Sequence, residues 1–180
     1  MANEKVTLIA LTEDDREQFI LDNQWAFKYG AMLEFEARDG HVDSSGEIIS
    51  RKTIEESIDA ENSETYRIMF EGRKVGGVVL VIDRETNHNS LDLFFIDPEK
   101  HGKGLGYAAW CAIEALYPQT VEWETITPYF EKRNIHFYVN KCGFQITEFY
   151  NKFNPDPNMS MDECDDSGPD EMFRFIKTMN

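Results

Sequence analysis

Apolar residues along this chain fall into short runs with the composition of β-strands. The runs are rich in Val, Ile, Phe, Tyr and Trp, which favour the pleated surface of a sheet. The polar residues 71–74 (EGRK) separate two of the runs and are typical of a hairpin turn. Strands are therefore predicted at residues 6–10, 65–70, 75–82, 91–96, 120–127, 143–150 and 172–179.

Helices are predicted where apolar residues follow a helical period. Thr12 with Asp15 three residues on is close to a capping box and marks a helix start. The apolar face from Phe19 to Phe27 continues through two helical segments, and Gly30 is predicted to interrupt them. Further helices are predicted at residues 48–59, 107–116 and 135–139. The order β-α-α-β-β-β-α-β-α-β-β predicts an α+β fold with a mixed sheet, in a single domain over residues 1–180.

Composition and charge narrow the classes of function. A net charge of −16, with no basic patch carrying interleaved aromatic residues, argues against DNA or RNA as a partner. No apolar run reaches about 18 residues, so no membrane span is predicted. The chain has three cysteines, an odd number, and no two of them have the spacing of metal ligands: Cys111, Cys142 and Cys164. They predict reduced thiols, a cytoplasmic location and no metal site.

The stretch Leu91–Tyr117 (LDLFFIDPEKHGKGLGYAAWCAIEALY) carries the clearest chemical signal. An apolar strand ends at Asp97-Pro98, because proline has no N–H for the ladder. Glycines then alternate with other residues up to an apolar helix. Unpaired backbone N–H groups at such a helix start converge on one point and favour an anion such as pyrophosphate.

Two phosphate-binding motifs do not fit this loop. The Walker motif requires Ser or Thr after Gly-Lys, whereas Tyr107 follows Gly106. The dinucleotide fingerprint requires a different glycine spacing and an acidic residue downstream. The loop instead resembles the acyl-CoA loop of the GNAT superfamily of N-acyltransferases, Arg/Gln-x-x-Gly-x-Gly/Ala. That pattern falls on His101, Gly104 and Gly106, with histidine where arginine or glutamine is usual.

A second motif supports the resemblance. Residues 133–144 (RNIHFYVNKCGF) are similar to the family's asparagine-containing helix, which ends in an aromatic-tyrosine pair followed by Lys-x-Gly-Phe. The element order also matches the GNAT fold, a central, mostly antiparallel sheet flanked by helices. The resemblance therefore implies an N-acetyltransferase that uses acetyl-CoA.

The resemblance also implies positions for the cosubstrate. Pyrophosphate would bind the backbone of His101, Gly102, Lys103, Gly104, Leu105 and Gly106. The pantetheine arm would lie along Leu93–Ile96, with Phe95 and Ile96 beside it. Asn134 corresponds to the family asparagine that contacts pantetheine, and its alternative role is a helix N-cap.

Tyr138 is the candidate general acid, which would protonate the departing CoA thiolate. Counted forward from Asn134 and Phe137, the family tyrosine falls on Tyr138. Counted back from Gly143-Phe144, it falls on Val139, because this segment is one residue longer. The alternative is that Tyr138 only packs in the core.

The general base is less well marked. The amine must lose a proton before it attacks, because an ammonium has no lone pair. Glu124, late on a strand with one polar face, is the first candidate. The alternatives are a solvated acidic face, a water chain, or the carboxylates Glu34, Glu36, Asp92 and Glu122.

The sequence leaves several alternatives open. The acceptor is a small-molecule or peptide amine, and the acidic chain favours a cationic one. A catalytically silent CoA-binding module of the same fold is the main rival to an enzyme. Whether the chain is a monomer or a homodimer is not decided by the sequence.

Overall fold

The computed structural model describes residues 5–35, 47–158 and 171–180. Within them, seven strands form one sheet. The strands are β1 (Thr7–Ala10), β2 (Ser63–Phe70), β3 (Arg73–Val81), β4 (His88–Ile96), β5 (Glu122–Pro128), β6 (Gln145–Tyr150) and β7 (Met172–Thr178). The helices are α1 (Glu13–Phe35), α2 (Arg51–Asp59), α3 (Leu105–Leu116) and α4 (Lys132–His136), with a 3₁₀ turn at Pro98–Lys100 and a π-helical segment at Phe137–Cys142.

The strands lie in the order β1-β2-β3-β4-β5-β7-β6. All neighbours are antiparallel except β4 and β5, which pair in parallel only from His88–Ser90 to Glu122–Glu124. Beyond Ser90 and Glu124 both strands continue without pairing to each other. The sheet therefore opens into a gap between the C-terminal halves of β4 and β5.

The core has a layer on each face of this sheet. On one face, α3 and the π-helical segment pack against the sheet. The largest side chains of this layer are all at most 1% exposed: Trp110 of α3, Trp123, Phe144 and Phe175. On the other face, α1 and α2 bury a second cluster around Phe19. A Cβ on Gly77 of β3 would lie 2.3 Å from the Phe19 ring. Glycine there lets α1 approach the sheet closely.

The predicted element order is confirmed, most predicted bounds are shifted by one to three residues, and three differences have a clear physical cause. The predicted break at Gly30 is wrong, because α1 runs unbroken from Glu13 to Phe35. A glycine inside a helix costs only about 1 kcal/mol relative to alanine, which tertiary packing offsets. β4 begins earlier than predicted, at His88, where the buried Asn89 donates to Thr120 and accepts from the Asp83 N–H.

The third difference concerns the predicted helix at 135–139. The structure has α4 followed directly by the π-helical segment, which ends at Gly143 in a left-handed conformation (φ 82°). A π-helix closes its hydrogen bonds one residue later than an α-helix. The π-helical segment thus accommodates the one extra residue of this stretch. That residue is the reason why the motif aligned the family tyrosine with Tyr138 from one end and with Val139 from the other.

Candidate active site

A cavity of about 710 Å³ lies beside the end of β4, in the region where β4 no longer pairs with β5. Its walls are the end of β4, the glycine loop with the first turn of α3, and α4 with the π-helical segment. Ala26, Phe27 and Gly30 of α1 form part of its rim. The cavity therefore joins the two segments that the sequence motifs marked, although they are about 30 residues apart in the chain.

The glycine loop offers an uncommon number of free backbone donors. Gly102 and Gly104 take left-handed conformations, with φ of 82° and 70°. Among the described residues, the N–H groups of 102–107 donate to no backbone carbonyl. These donors stand at the positive end of α3, an arrangement that favours phosphate. A Cβ on Gly106 would lie 3.3 Å from the Phe137 ring, so a small residue there lets α3 approach the π-helical segment.

The end of β4 offers a free strand edge to the cavity. The N–H of Asp97 donates to Val75 on β3 at 2.8 Å. Because the backbone groups of a strand alternate in direction, those of Phe94 and Ile96 point into the gap. Thr125 Oγ1 donates to the Leu91 carbonyl at 2.8 Å, immediately after the last residues at which β4 and β5 pair. Thr125 thus bridges the two strands at the floor of the gap, the point where they separate, and the end of β4 beyond it is an edge that an extended ligand can pair with.

His101 is held in one tautomer between β4 and α4. Its Nε2 lies 3.0 Å from the Ile96 carbonyl, which can only accept, so Nε2 carries the proton. Its Nδ1 lies 2.9 Å from Nη2 of Arg133, which can only donate, so Nδ1 accepts. The ring is therefore neutral, and it links the guanidinium of Arg133 to the glycine loop.

The cavity is basic although the chain is acidic. Among the described residues that line it, Lys100, Arg133 and Lys141 are cationic and Glu131 is the one carboxylate. The whole chain carries a net charge of −16. Such a local reversal of sign favours an anionic ligand.

Tyr138 lines the cavity but is only 6% exposed. Its ring packs against Phe137, Phe144 and Phe175. Burial raises the pKa of Tyr138 above its ordinary value, and the side chain of Thr125, near its hydroxyl at the floor of the gap, opposes this shift only in part. The hydroxyl therefore keeps its proton at neutral pH.

Most of the other predicted site residues line the cavity, and a few do not. Of the predicted cosubstrate contacts, all but Lys103 line the cavity. Asn134 is among them, and its alternative role as an N-cap is wrong, because Glu131 occupies the N-cap position of α4. Val139 does not appear among the described residues of the lining.

The structure does not bring Glu124 into the cavity lining. Oε2 of Glu124 accepts from Nε of Arg174 at 2.8 Å and also from Nη2. Arg174 also contacts Glu148 at 2.9 Å, so the three charged groups cross the sheet from β5 to β6. Glu124 is thus the partner of a cation in the resting protein.

The other carboxylates considered as general bases lie elsewhere in the fold or outside the described residues. A register shift in β4 leaves Asp92 outside the ladder with β3, and Asp92 accepts a hydrogen bond from Ser57 of α2. Glu122 lies 3.9 Å from Nδ1 of His88. The side chains of Glu34 and Glu36 lie outside the described residues.

Sequence reasoning missed several lining residues. Arg133 belongs to the second motif, but its spacing from His101 gave no sign that the two would meet. Phe94 and Phe137 stack with ring centroids 5.7 Å apart and planes at 10°. Their apolar character was visible, whereas their pairing across two elements was not.

Comparisons with known proteins identify the family of this chain. Residues 24–144 match the sequence model of the acetyltransferase (GNAT) family. The uncharacterized protein YrkN of Bacillus subtilis (strain 168) is 46% identical over 180 residues, which are 97% of this chain and 94% of YrkN. None of the described helices has the length and apolar content needed to cross a membrane.

Solved structures share the fold at low sequence identity. An acetyltransferase from Thermus thermophilus has a TM-score of 0.65 at 12% identity, covering 99% of this chain and 100% of that one. The PaiA N-acetyltransferase of Thermoplasma acidophilum, in complex with coenzyme A, has a TM-score of 0.66 at 15% identity, covering 97% and 99%. The spermidine N-acetyltransferase SpeG of Vibrio cholerae, with CoA and spermine, has a TM-score of 0.64 at 14% identity, covering 97% and 95%. The chain belongs to the GNAT family of acetyltransferases, and acetyl-CoA is its cosubstrate.

Proposed function

We propose that this protein transfers the acetyl group of acetyl-CoA to a primary amine, and that the favoured acceptor is cationic. The observation that carries the proposal is the cavity at the β4–β5 gap. It combines unpartnered loop N–H groups, basic side chains and a free strand edge in a strongly acidic chain. An anionic, extended cosubstrate suits the cavity, and a cationic acceptor suits the field outside it.

In this proposal the phosphates of acetyl-CoA bind the loop N–H groups from Gly102 to Tyr107. The pantetheine arm pairs with the backbone of Phe94 and the N–H of Ile96, whose carbonyl is bound by His101, and passes Asn134. The thioester then lies near Thr125 and Tyr138 at the floor of the gap. The stacked rings of Phe94 and Phe137 keep this end of the cavity apolar, which strengthens polar interactions with the reacting groups.

The reaction proceeds by direct attack. The neutral amine nitrogen forms a bond to the thioester carbon, and the carbonyl oxygen takes the electron pair. As the carbonyl reforms, the C–S bond breaks and CoA leaves as a thiolate, while the positively charged nitrogen loses its second proton to become the amide; this proton replaces the one that the general acid gives to the sulfur. We assign Tyr138 as the acid that protonates this sulfur, because Tyr138 lines the cavity and burial keeps its hydroxyl protonated.

The proton of the ammonium acceptor has two routes out in this proposal. Glu124 remains the candidate base, although it must give up part of its contact with Arg174 or act through water. A water chain to solvent is the second route. Replacing Glu124 with Gln distinguishes them, because only the first route loses kcat at neutral pH.

The nature of the acceptor rests on charge. SpeG is a spermidine N-acetyltransferase, and an Escherichia coli protein of the same fold is a ribosomal-protein-S18-alanine N-acetyltransferase. Both small amines and peptide amines are thus acceptors on this fold. The charge of −16 favours a polyamine or a lysine-rich peptide over an acidic acceptor.

The test is an acceptor screen that follows release of the CoA thiol. Spermidine, an aminoglycoside, a lysine-rich peptide and a neutral primary amine are compared at saturating acetyl-CoA. We expect turnover of at least one cationic amine. A parallel thermal-shift series with acetyl-CoA, CoA, ATP and NAD reports binding. A shift with acetyl-CoA but no thiol release with any amine would instead identify a silent CoA-binding module.

A further inference from the structure

We infer that Arg133 of α4 supplies the side-chain contact to the CoA pyrophosphate that histidine at position 101 cannot make. The inference rests on the proposed function only in that acetyl-CoA occupies this cavity. It assigns a binding role to a residue outside the glycine loop, and His101 becomes the residue that positions it.

His101 itself has no free donor for a phosphate. Its one N–H, on Nε2, already binds the Ile96 carbonyl at 3.0 Å. Its other ring nitrogen accepts from Arg133, so the ring is neutral. A neutral ring with its proton committed adds neither charge nor a hydrogen bond to an anion at the loop.

Arg133 has what His101 lacks. One Nη2–H binds His101 Nδ1 at 2.9 Å, which holds the guanidinium against the first residue of the glycine loop. A guanidinium keeps its charge at all accessible pH values and has further N–H groups in a planar fork that matches phosphate oxygens. Arg133 lines the same cavity as Gly102 and Gly104. The guanidinium and the loop N–H groups therefore line one anion site, although they come from different segments.

In this inference Arg133 contacts the pyrophosphate of CoA and not its 3′-phosphate. The pyrophosphate is the part of CoA that the loop N–H groups bind in the proposed arrangement, and Arg133 is tied to that loop through His101. Lys100 and Lys141 also line the cavity and are available for the remaining phosphate charge. Removing the Arg133 side chain should thus weaken every ligand that carries the pyrophosphate.

Binding is measured by calorimetry, so the result does not depend on knowing the acceptor. The ligands are CoA, 3′-dephospho-CoA, which keeps the pyrophosphate, and pantetheine, which lacks it. We expect Arg133→Ala to weaken CoA and dephospho-CoA equally, by roughly 10- to 100-fold, as for a charge-assisted hydrogen bond. Pantetheine binding should not change.

Lys132→Ala is the matched control. Lys132 is the neighbouring residue of α4, is exposed, and is not among the lining residues, so its loss removes the same charge at almost the same place. We expect less than a roughly twofold effect on CoA from the control, since distant exposed charges are screened by salt. An equal effect of both variants would reduce the role of Arg133 to general electrostatics and overturn the inference.

A rescue variant tests the exchange of roles directly. In the Arg133→Ala background, His101→Arg restores the residue usual at this position of the family loop. We expect CoA affinity to recover most of the loss. An Arg133→Ala effect that vanishes with dephospho-CoA would assign Arg133 to the 3′-phosphate, and an equal effect on pantetheine would show damage to the fold. Either result overturns the inference, whereas failure of the proposed function would appear as normal CoA binding without thiol release.

Discussion

At the scale of single residues, the proposed cosubstrate site depends on a backbone conformation that glycine adopts readily. Gly104 has φ of 70°, and a Cβ there would meet no atom within 4 Å. A larger residue at this position therefore suffers from backbone strain, of about 1–2 kcal/mol, but not from a clash. The site is thus sensitive to the charge of a new side chain and less so to its mere presence.

Gly104→Glu should abolish the rise in melting temperature that acetyl-CoA causes. Its carboxylate would stand among the loop N–H groups that bind phosphate. Gly104→Ala is the control: it carries the same backbone strain without the charge, and it should melt lower than wild type yet still be stabilised by acetyl-CoA. Stabilisation follows RT ln(1 + [L]/Kd), about 2.7 kcal/mol at 100 times Kd. An undiminished shift in Gly104→Glu would place the site elsewhere.

Tyr138→Phe should lower kcat by roughly 10²-fold or more and leave acetyl-CoA affinity nearly unchanged. The ring and its contacts with Phe144 and Phe175 stay, so the variant removes only the hydroxyl beside Thr125. Tyr150→Phe removes a hydroxyl from a tyrosine that is 4% exposed and outside the cavity lining, and it should keep wild-type kcat. Wild-type kcat in Tyr138→Phe would mean that this residue only packs.

At the scale of elements, α1 is fastened to the sheet by a buried cation. Arg67 of β2 is 3% exposed and lies 2.7 Å from Asp15 and 2.8 Å from Asp22 of α1. Its guanidinium also stands 5.1 Å from the centre of the Phe19 ring. Because α1 forms part of the cavity rim, this network fixes one side of the site.

The network predicts a dependence of stability on pH. Hydrogen bonds from Arg67, with a further one from Lys74, hold the pKa of Asp15 below its ordinary value. The stability that the ionised Asp15 contributes is therefore present above the unfolded pKa of about 4 and is lost as pH falls through the lowered folded pKa. Asp15→Asn should lower the free energy of unfolding by about 1–3 kcal/mol at pH 7 and by less near pH 3.

Denaturant unfolding at the two pH values measures this difference. Asp14→Asn is the control, because Asp14 is the exposed neighbour in the same first turn of α1. We expect the control to differ little from wild type at either pH. A loss of stability in Asp15→Asn that is as large at pH 3 as at pH 7 would contradict an ionic role for Asp15.

At the scale of the whole molecule, charge is divided between a basic cavity and an acidic remainder. The densest acidic tracts of the sequence are residues 39–47, 55–64 and 156–171. Carboxylates at this density raise the local concentration of cations, and salt screens the effect over about 8–10 Å. The two fields suit two substrates of opposite charge.

The proposed preference for a cationic acceptor should therefore weaken with salt. At saturating acetyl-CoA, kcat/KM for spermidine should exceed that for a neutral primary amine at low ionic strength. The ratio should fall severalfold at about 0.5 M salt, while kcat/KM for the neutral amine changes little. A ratio that ignores salt, or faster turnover of an anionic acceptor, would contradict the electrostatic origin of the preference.

The sequence by itself determined the order of elements and the two cosubstrate motifs. Strands, helices and the glycine loop leave local traces, because periodicity, proline and glycine act within a few residues. Gly102 and Gly104 could be placed at a helix start for that reason. The unbroken course of α1 could not be predicted from the sequence, since packing of Phe19 against Gly77 outweighs the local free-energy cost of Gly30.

Only the tertiary structure decided which side chains share the site. His101 and Arg133 meet across 32 residues of chain, and Glu124 and Arg174 across 50. The alternation of polar and apolar residues around Glu124 predicts that its side chain is exposed, but it does not predict which residue it contacts. The ion pair with Arg174 could therefore not be predicted from the sequence. The gap itself arises because β4 and β5 pair over only three residues before they separate. Strand pairing is a contact between distant segments, and the amino-acid pattern of either strand alone does not contain it.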